Sequence, residues 1–131
     1  MAGYADSDGA SADDTPREFA YKYRDYVIRS LNRDKPFDAF VIEQLAGDEL
    51  VKPPYRNLSG EDLEKLVATG FLRMGPDGTA SAADPDVAKN QVMADTVKIV
   101  TSSLLGLTVG CAQCHDHRYD PIPQTDYYRL R

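Results

Sequence analysis

The only two cysteines of this 131-residue chain stand three positions apart, in Cys111-Ala112-Gln113-Cys114-His115. A pair so close cannot staple a long loop, so no disulfide framework can hold the fold. The chain must therefore bury an apolar core. A length of 131 residues with 42% hydrophobic content suffices for a modest one. We read residues 1–131 as a single domain with an irregular lead-in over 1–15.

Helical punctuation recurs along the chain, and no strand-like alternation of apolar and polar residues is visible. Thr15, Pro16 and Glu18 spell a capping box with proline at the first helical position. Phe19, Tyr23, Tyr26, Val27, Ser30 and Leu31 then fall on one face at helical spacing, with Lys22, Arg24, Asp25 and Arg29 on the other. A second helix starts near Pro36, with Phe37, Phe40, Val41 and Leu45 as its apolar stripe and Gly47 as its stop. Pro53-Pro54 marks a rigid turn in 51–57. Ser59 caps a short helix over 59–69, with Glu61 and Asp62 at its positive end and Gly70 ending it. Residues 74–83 form a loop. Asp84-Pro85 opens the longest helix, 85–105, whose predicted buried face is Val92, Thr96, Ile99, Val100 and Ser103 or Leu104. The β-branched run 96–101 leaves a strand as the lesser alternative there. Gly106 ends that helix, and Thr125 is placed to cap a last helical turn. The expected fold class is all-α, a small multi-helix domain with substantial loop.

The net charge of −6 argues against a nucleic-acid partner, which needs a basic surface. No run reaches the ~18–20 apolar residues of a transmembrane helix. The N-terminal residues have neither the basic nor the apolar region of a signal peptide.

C-x-x-C-H is the spacing of a c-type haem attachment site. Two thiols one helical turn apart can each add to a haem vinyl group, and the following imidazole reaches the iron from the same side. On this reading Cys111 and Cys114 attach one covalent haem c and His115 is the proximal iron ligand. Three rivals remain open: a chance cluster of reduced thiols, a redox-active dithiol, and a zinc or iron site using Cys111, Cys114, His115 and His117. The last is cramped, with all four ligands inside seven residues. His117 is read as a hydrogen-bonding or surface residue, with a haem propionate or another haem as the alternatives. Met93 on the long helix is the candidate distal ligand, although a methionine there also suits core packing. Asp6-Ser7-Asp8-Gly9 resembles the middle of a calcium loop, but the register fails at its first and last ligand positions, and it is read as a turn.

With those residues in view, the chain resembles the planctomycete-type cytochrome c-like domain, a bacterial family of unknown function. The landmarks are Y-A-D-S-D-G at 4–9, Y-R-D-Y-V-I-R at 23–29, P-F-D-A-F-V-I-E-Q-L-A-G-D at 36–48, A-T-G-F-L-R at 68–73 and G-L-T-V-G-C-A-Q-C-H-D-H-R-Y-D-P-I at 106–122. The resemblance implies a domain of large exported multidomain proteins, extracytoplasmic or periplasmic, with a haem-linked redox role. Its partners would be the other domains of the parent protein and a redox partner. The family's domain extends past this sequence at both ends, so the chain is expected to be a fragment. Electron transfer is the leading expectation. The alternatives are a haem-dependent oxidising enzyme with an open iron position and a non-haem interaction module presenting aromatic-rich helices.

Overall fold

The computed structural model describes residues 4–9, 14–80 and 82–131. Parts of the predicted lead-in (1–3 and 10–13) and Ser81 of the predicted loop lie outside the described residues. The fold is all-α. Among the described residues there are five α-helices and no strand, only a lone antiparallel bridge between Ser7 and Pro16. Contacts divide the chain into two compact units, one holding 4–7 and 16–74, the other 8–9, 14–15 and 75–131.

The first unit contains α1 (Ala20–Asn32), α2 (Phe37–Ala46), α3 (Gly60–Ala68) and a 3₁₀ turn, Thr69–Arg73. The predicted capping box does not form, because α1 starts at Ala20 behind Phe19 with no side-chain cap. The reason lies in the preceding strand-like contact. Arg17 N–H donates to the Asp6 carbonyl at 2.7 Å, and Pro16 has no donor, so the capping hydroxyl is not needed there. The buried stripe of α1 is Ala20, Tyr23, Tyr26 and Ser30, the centre of the predicted face. Its predicted flanks, Phe19 and Leu31, are exposed.

Aromatic packing and buried polar bonds hold this unit together. Tyr26 stacks on Phe40 with ring centroids 5.8 Å apart, and Tyr23 lies 6.5 Å from Phe71. The Tyr23 hydroxyl donates to Gln44 Oε1 at 2.6 Å, and Gln44 Nε2 donates to the Phe40 carbonyl at 3.1 Å. Burial pushes the Tyr23 hydroxyl well above the ordinary tyrosine range. In α2 only Gln44 is fully buried, while Phe37 and Leu45 of the predicted stripe are exposed. Two glycines differ from their predicted roles as helix stops. Gly47 has a right-handed backbone, and a Cβ there would lie 2.1 Å from the Lys65 carbonyl oxygen. Gly70 sits inside the 3₁₀ turn, where a Cβ would press on Tyr23 at 3.3 Å. Gly47 permits close approach of neighbouring backbone and Gly70 close approach of the Tyr23 side chain, rather than left-handed termination. The Ser59 cap forms as expected, accepting from Asp62 N–H at 3.1 Å.

The second unit contains α4 (Pro85–Val100), a π-helical turn (Thr101–Leu105), a 3₁₀ turn (Val109–Gln113) and α5 (Gln124–Leu130). Asp84 caps α4, accepting from Asp86 and Val87 N–H at 3.0 and 3.2 Å. The run 85–105 is helical throughout, which removes the strand alternative for 96–101. Its last turn widens where Thr101 and Ser102 hydroxyls donate to the Val97 and Lys98 carbonyls at 2.8 and 2.6 Å. Gly106, at φ +67°, ends it as expected. The buried face is not the predicted one. Ala88, Ala94, Val97 and Thr101 are buried, while Val92, Thr96, Ile99 and Val100 are only half-buried. The small side chains of Ala94 and Ala112 let the 3₁₀ turn approach α4 on that side, and Val97, Val109, Ala112 and Tyr127 close into one core cluster with Ile122 against it.

Candidate functional site

The C-x-x-C segment occupies the end of the Val109–Gln113 turn. Val109 and Ala112 point into the core, Ala112 with no exposed surface at all. In a 3₁₀ turn the side chains at i and i+3 eclipse. Ala112 is fixed inward, and Cys111 within the turn and Cys114 directly after it are both exposed, free thiols. The turn is secured from behind by α5. The Gln113 carbonyl accepts from Gln124 Nε2 at 2.9 Å and from the Tyr128 hydroxyl at 3.1 Å.

His115 is exposed, and its Nδ1 lies 2.7 Å from the Asp116 carbonyl oxygen. A carbonyl can only accept, so Nδ1 carries the proton and Nε2 keeps its lone pair. That is the tautomer and orientation typical of metal-ligating imidazoles. The side chain of Asp116 is also engaged. Its Oδ1 accepts from Gln124 N–H at 2.8 Å, satisfying the first donor of α5 from eight residues away. Thr125, predicted to cap that helix, lies inside it instead.

His117 is a structural residue. Its side chain is 5% exposed. Nδ1 accepts from Asp120 N–H at 2.9 Å and Tyr119 N–H at 3.3 Å, and Nε2 lies 2.8 Å from Thr108 Oγ1. Asp120 Oδ2 is 3.4 Å from Nδ1, an ion pair only if that nitrogen were protonated. The two backbone donors aimed at it make it an acceptor. The imidazole therefore ties the loop 115–122 to Thr108. Both ring nitrogens are occupied, which accords with the hydrogen-bonding reading and leaves no lone pair for iron.

Beside Cys111 lies a groove of about 420 Å³ between α4 and the 3₁₀ turn. Gln91, Ala94, Asp95 and Lys98 of α4 form one wall, and Leu107, Thr108, Gly110, Cys111 and Gln113 the other, with Ser102 at one end. Met93 is not brought to this place. At about 100° per residue it lies roughly opposite the groove-facing residues of α4, and it is exposed. Behind the turn, Tyr127 is fully buried with its hydroxyl unpartnered. Burial raises its pKa above the ordinary value. The positive charge of Arg131 opposes that shift, while Tyr128, Cys114 and Asp95 add to it. Sequence reasoning passed over Lys98, Thr108 and Tyr127. None belongs to the motif, and only tertiary packing gathers them around it.

Among the described residues no three His, Cys, Asp or Glu side chains converge on one point as ligands of a metal ion. Asp6, from the segment resembling a calcium loop, accepts from the Tyr4 hydroxyl. No helix among the described residues is long and apolar enough to cross a membrane.

These features define a class: a small all-α protein displaying two free thiols and an adjacent imidazole on one surface turn. The chain belongs to PSCyt2, a family of proteins of unknown function (DUF1549), whose model matches residues 1–131. No curated protein and no solved structure matches it.

Proposed function

We propose that this chain is a c-type haem-binding domain of the planctomycete cytochrome c-like kind, serving electron transfer within a larger exported bacterial protein. The carrying observation is the state of His115: Nδ1 is bonded to the Asp116 carbonyl, which leaves Nε2 as the ligating nitrogen, and both cysteines of the motif before it are exposed and free. This donor set suits haem c. Cys111 and Cys114 would hold the vinyl carbons as thioethers, and His115 Nε2 would face the iron. When bound, the haem supplies a one-electron redox couple.

The chain's own residues supply the rest. The buried Ala112 anchors the turn that carries Cys111 and leads into Cys114, and the Asp116 carbonyl holds the imidazole tautomer. The His117–Thr108 bond secures the loop on which His115 sits. Because thioether attachment takes place outside the cytoplasm, the proposal includes an extracytoplasmic location for the parent protein. A redox partner and the neighbouring domains of that parent would exchange the electron.

The test is a pyridine haemochrome spectrum of the chain made with haem-attachment machinery. A c-type band, lost in Cys111→Ser and Cys114→Ser, is expected; folded protein without that band would refute the proposal. The position of Met93 favours a second reading, a haem-dependent oxidising domain with an open sixth iron position. Ready binding of carbon monoxide or cyanide by the loaded protein would support it, and an unreactive six-coordinate haem would exclude it.

A further inference from the structure

We propose that Gln124 is the positioning residue for His115: it grips Asp116, whose carbonyl holds the imidazole proton on Nδ1 and so keeps the ligating lone pair on Nε2. The inference rests on the haem reading above and adds how the chain selects the nitrogen that would face the iron.

His115 is exposed, so packing does not hold its ring. Among the described residues its one hydrogen bond is that between Nδ1 and the Asp116 carbonyl, at 2.7 Å. An imidazole in water without a partner favours the proton on Nε2, which would block ligation from that nitrogen. The carbonyl must stay in place for the opposite tautomer to prevail. Asp116 is exposed too, and its anchor is Gln124. Asp116 Oδ1 accepts from the Gln124 N–H at 2.8 Å, a charge-assisted bond. The Gln124 side chain reaches the other way, its Nε2 donating to the Gln113 carbonyl at 2.9 Å. One residue thus clips both neighbours of the Cys114-His115 pair.

His117 supplies the contrast within the same loop. Its Nδ1 accepts from the Asp120 and Tyr119 amides, so its proton sits on Nε2, 2.8 Å from Thr108 Oγ1. The chain's two histidines therefore hold opposite tautomers, two residues apart. The partner sets the difference. Backbone donors face His117, and a backbone acceptor held by Gln124 faces His115. Were the Asp116–Gln124 bond merely structural, it would start α5 and leave the His115 tautomer indifferent to its loss.

The experiment reads both imidazoles by long-range proton–nitrogen NMR in the full haem-free chain, with thiols kept reduced and at about pH 8.5, where imidazoles are neutral. The wild type is expected to carry its proton on Nδ1 in His115 and on Nε2 in His117. Asp116→Ala should lower the Nδ1–H to Nε2–H ratio of His115 by about fivefold, the factor set by one neutral hydrogen bond. Asp116→Asn, which keeps an acceptor oxygen, should hold the ratio near wild type. Gln124→Pro removes both arms of the clip and should shift His115 as Asp116→Ala does. Helix α5 tolerates that change, because Pro123 at ψ 155° already has the extended backbone that precedes a proline, and proline suits the first helical position. An unchanged His117 pattern reports that the loop is still folded. A wild-type His115 with its proton on Nε2 would overturn the proposal. So would an unchanged ratio in both Asp116→Ala and Gln124→Pro with His117 intact. The haemochrome spectrum separates this from the parent reading. A c-type band with an indifferent His115 refutes the positioning role alone, and a responsive His115 in a chain that takes no haem refutes the haem reading alone.

Discussion

Replacing His117 by Phe keeps a ring of similar volume and deletes both of its polar atoms. Three hydrogen bonds go with them: those from Asp120 N–H and Tyr119 N–H to Nδ1, and the one between Nε2 and Thr108 Oγ1. The first two matter most, because the loop folds around a nearly buried imidazole and the amides lose their acceptor. A stranded donor that is partly shielded from water costs about 1–3 kcal/mol, and a lost neutral bond about 0.5–1.5 kcal/mol. The Tyr119 bond at 3.3 Å is long and lies at the surface, so the low end of each range applies, and the sum is about 2.5 kcal/mol. With a urea dependence of ~1–3 kcal/mol per molar for a small domain, the unfolding midpoint should fall by about 1–2 M. Amide hydrogen exchange gives the local readout. The Asp120 and Tyr119 amides should be protected in the wild type and exchange much faster in His117→Phe, while amides within α1 keep their rates. Unchanged protection together with an unchanged midpoint would refute the assignment of His117 as the loop's organiser. If His117 instead bound iron, the substitution would change the spectrum of loaded protein while leaving haem-free stability alone.

Gly47→Ala should destabilise the 16–74 unit by about 3 kcal/mol or more in urea unfolding, because its Cβ would meet the Lys65 and Glu43 carbonyl oxygens at 2.1 and 2.4 Å. For Glu64, burial works to raise the carboxyl, but the hydrogen bond from Arg29 at 2.8 Å and the charges of Arg33, Arg29 and Lys35 outweigh it and hold the group below its ordinary value. A depressed folded value contributes stability above the ordinary carboxylate range that is lost as pH falls through the folded value. Glu64→Gln should therefore flatten the acid limb of stability against pH, and an unaltered limb would count against the pairing. Met93→Leu should leave the absorption spectrum of haem-loaded protein unchanged, since Met93 lies on the far side of α4 from Cys111; a shifted Soret band would contradict that placement.

Several features of the protein were readable from local chemistry. Ser59 and Asp84-Pro85 mark helix starts, and Gly106 a helix end, because each acts on backbone groups within one turn of itself. The all-α class followed from such signals and from the absence of alternation. The thiol pair and its imidazole were equally legible, since their spacing alone sets what they can reach. Features that depend on residues remote in sequence were not. Thr15 lost its cap because Asp6 took the Arg17 N–H, and Thr125 lost its own because Asp116 reached Gln124. Gly47 and Gly70 looked like helix ends, yet neighbouring backbone and Tyr23 explain them.

What the sequence determined, then, was composition, helix content and the identity of the Cys111, Cys114 and His115 constellation. The tertiary structure decided which way each element faces. Alanine carries little weight in a hydrophobic pattern, yet Ala88, Ala94 and Ala112 are buried, and the buried face of α4 runs through its alanines and Val97 rather than through the predicted stripe. That orientation puts Lys98 in the groove beside Cys111 and leaves Met93 outside it. Close packing responds to the smallest side chains as strongly as to the largest, and linear periodicity records only the large ones.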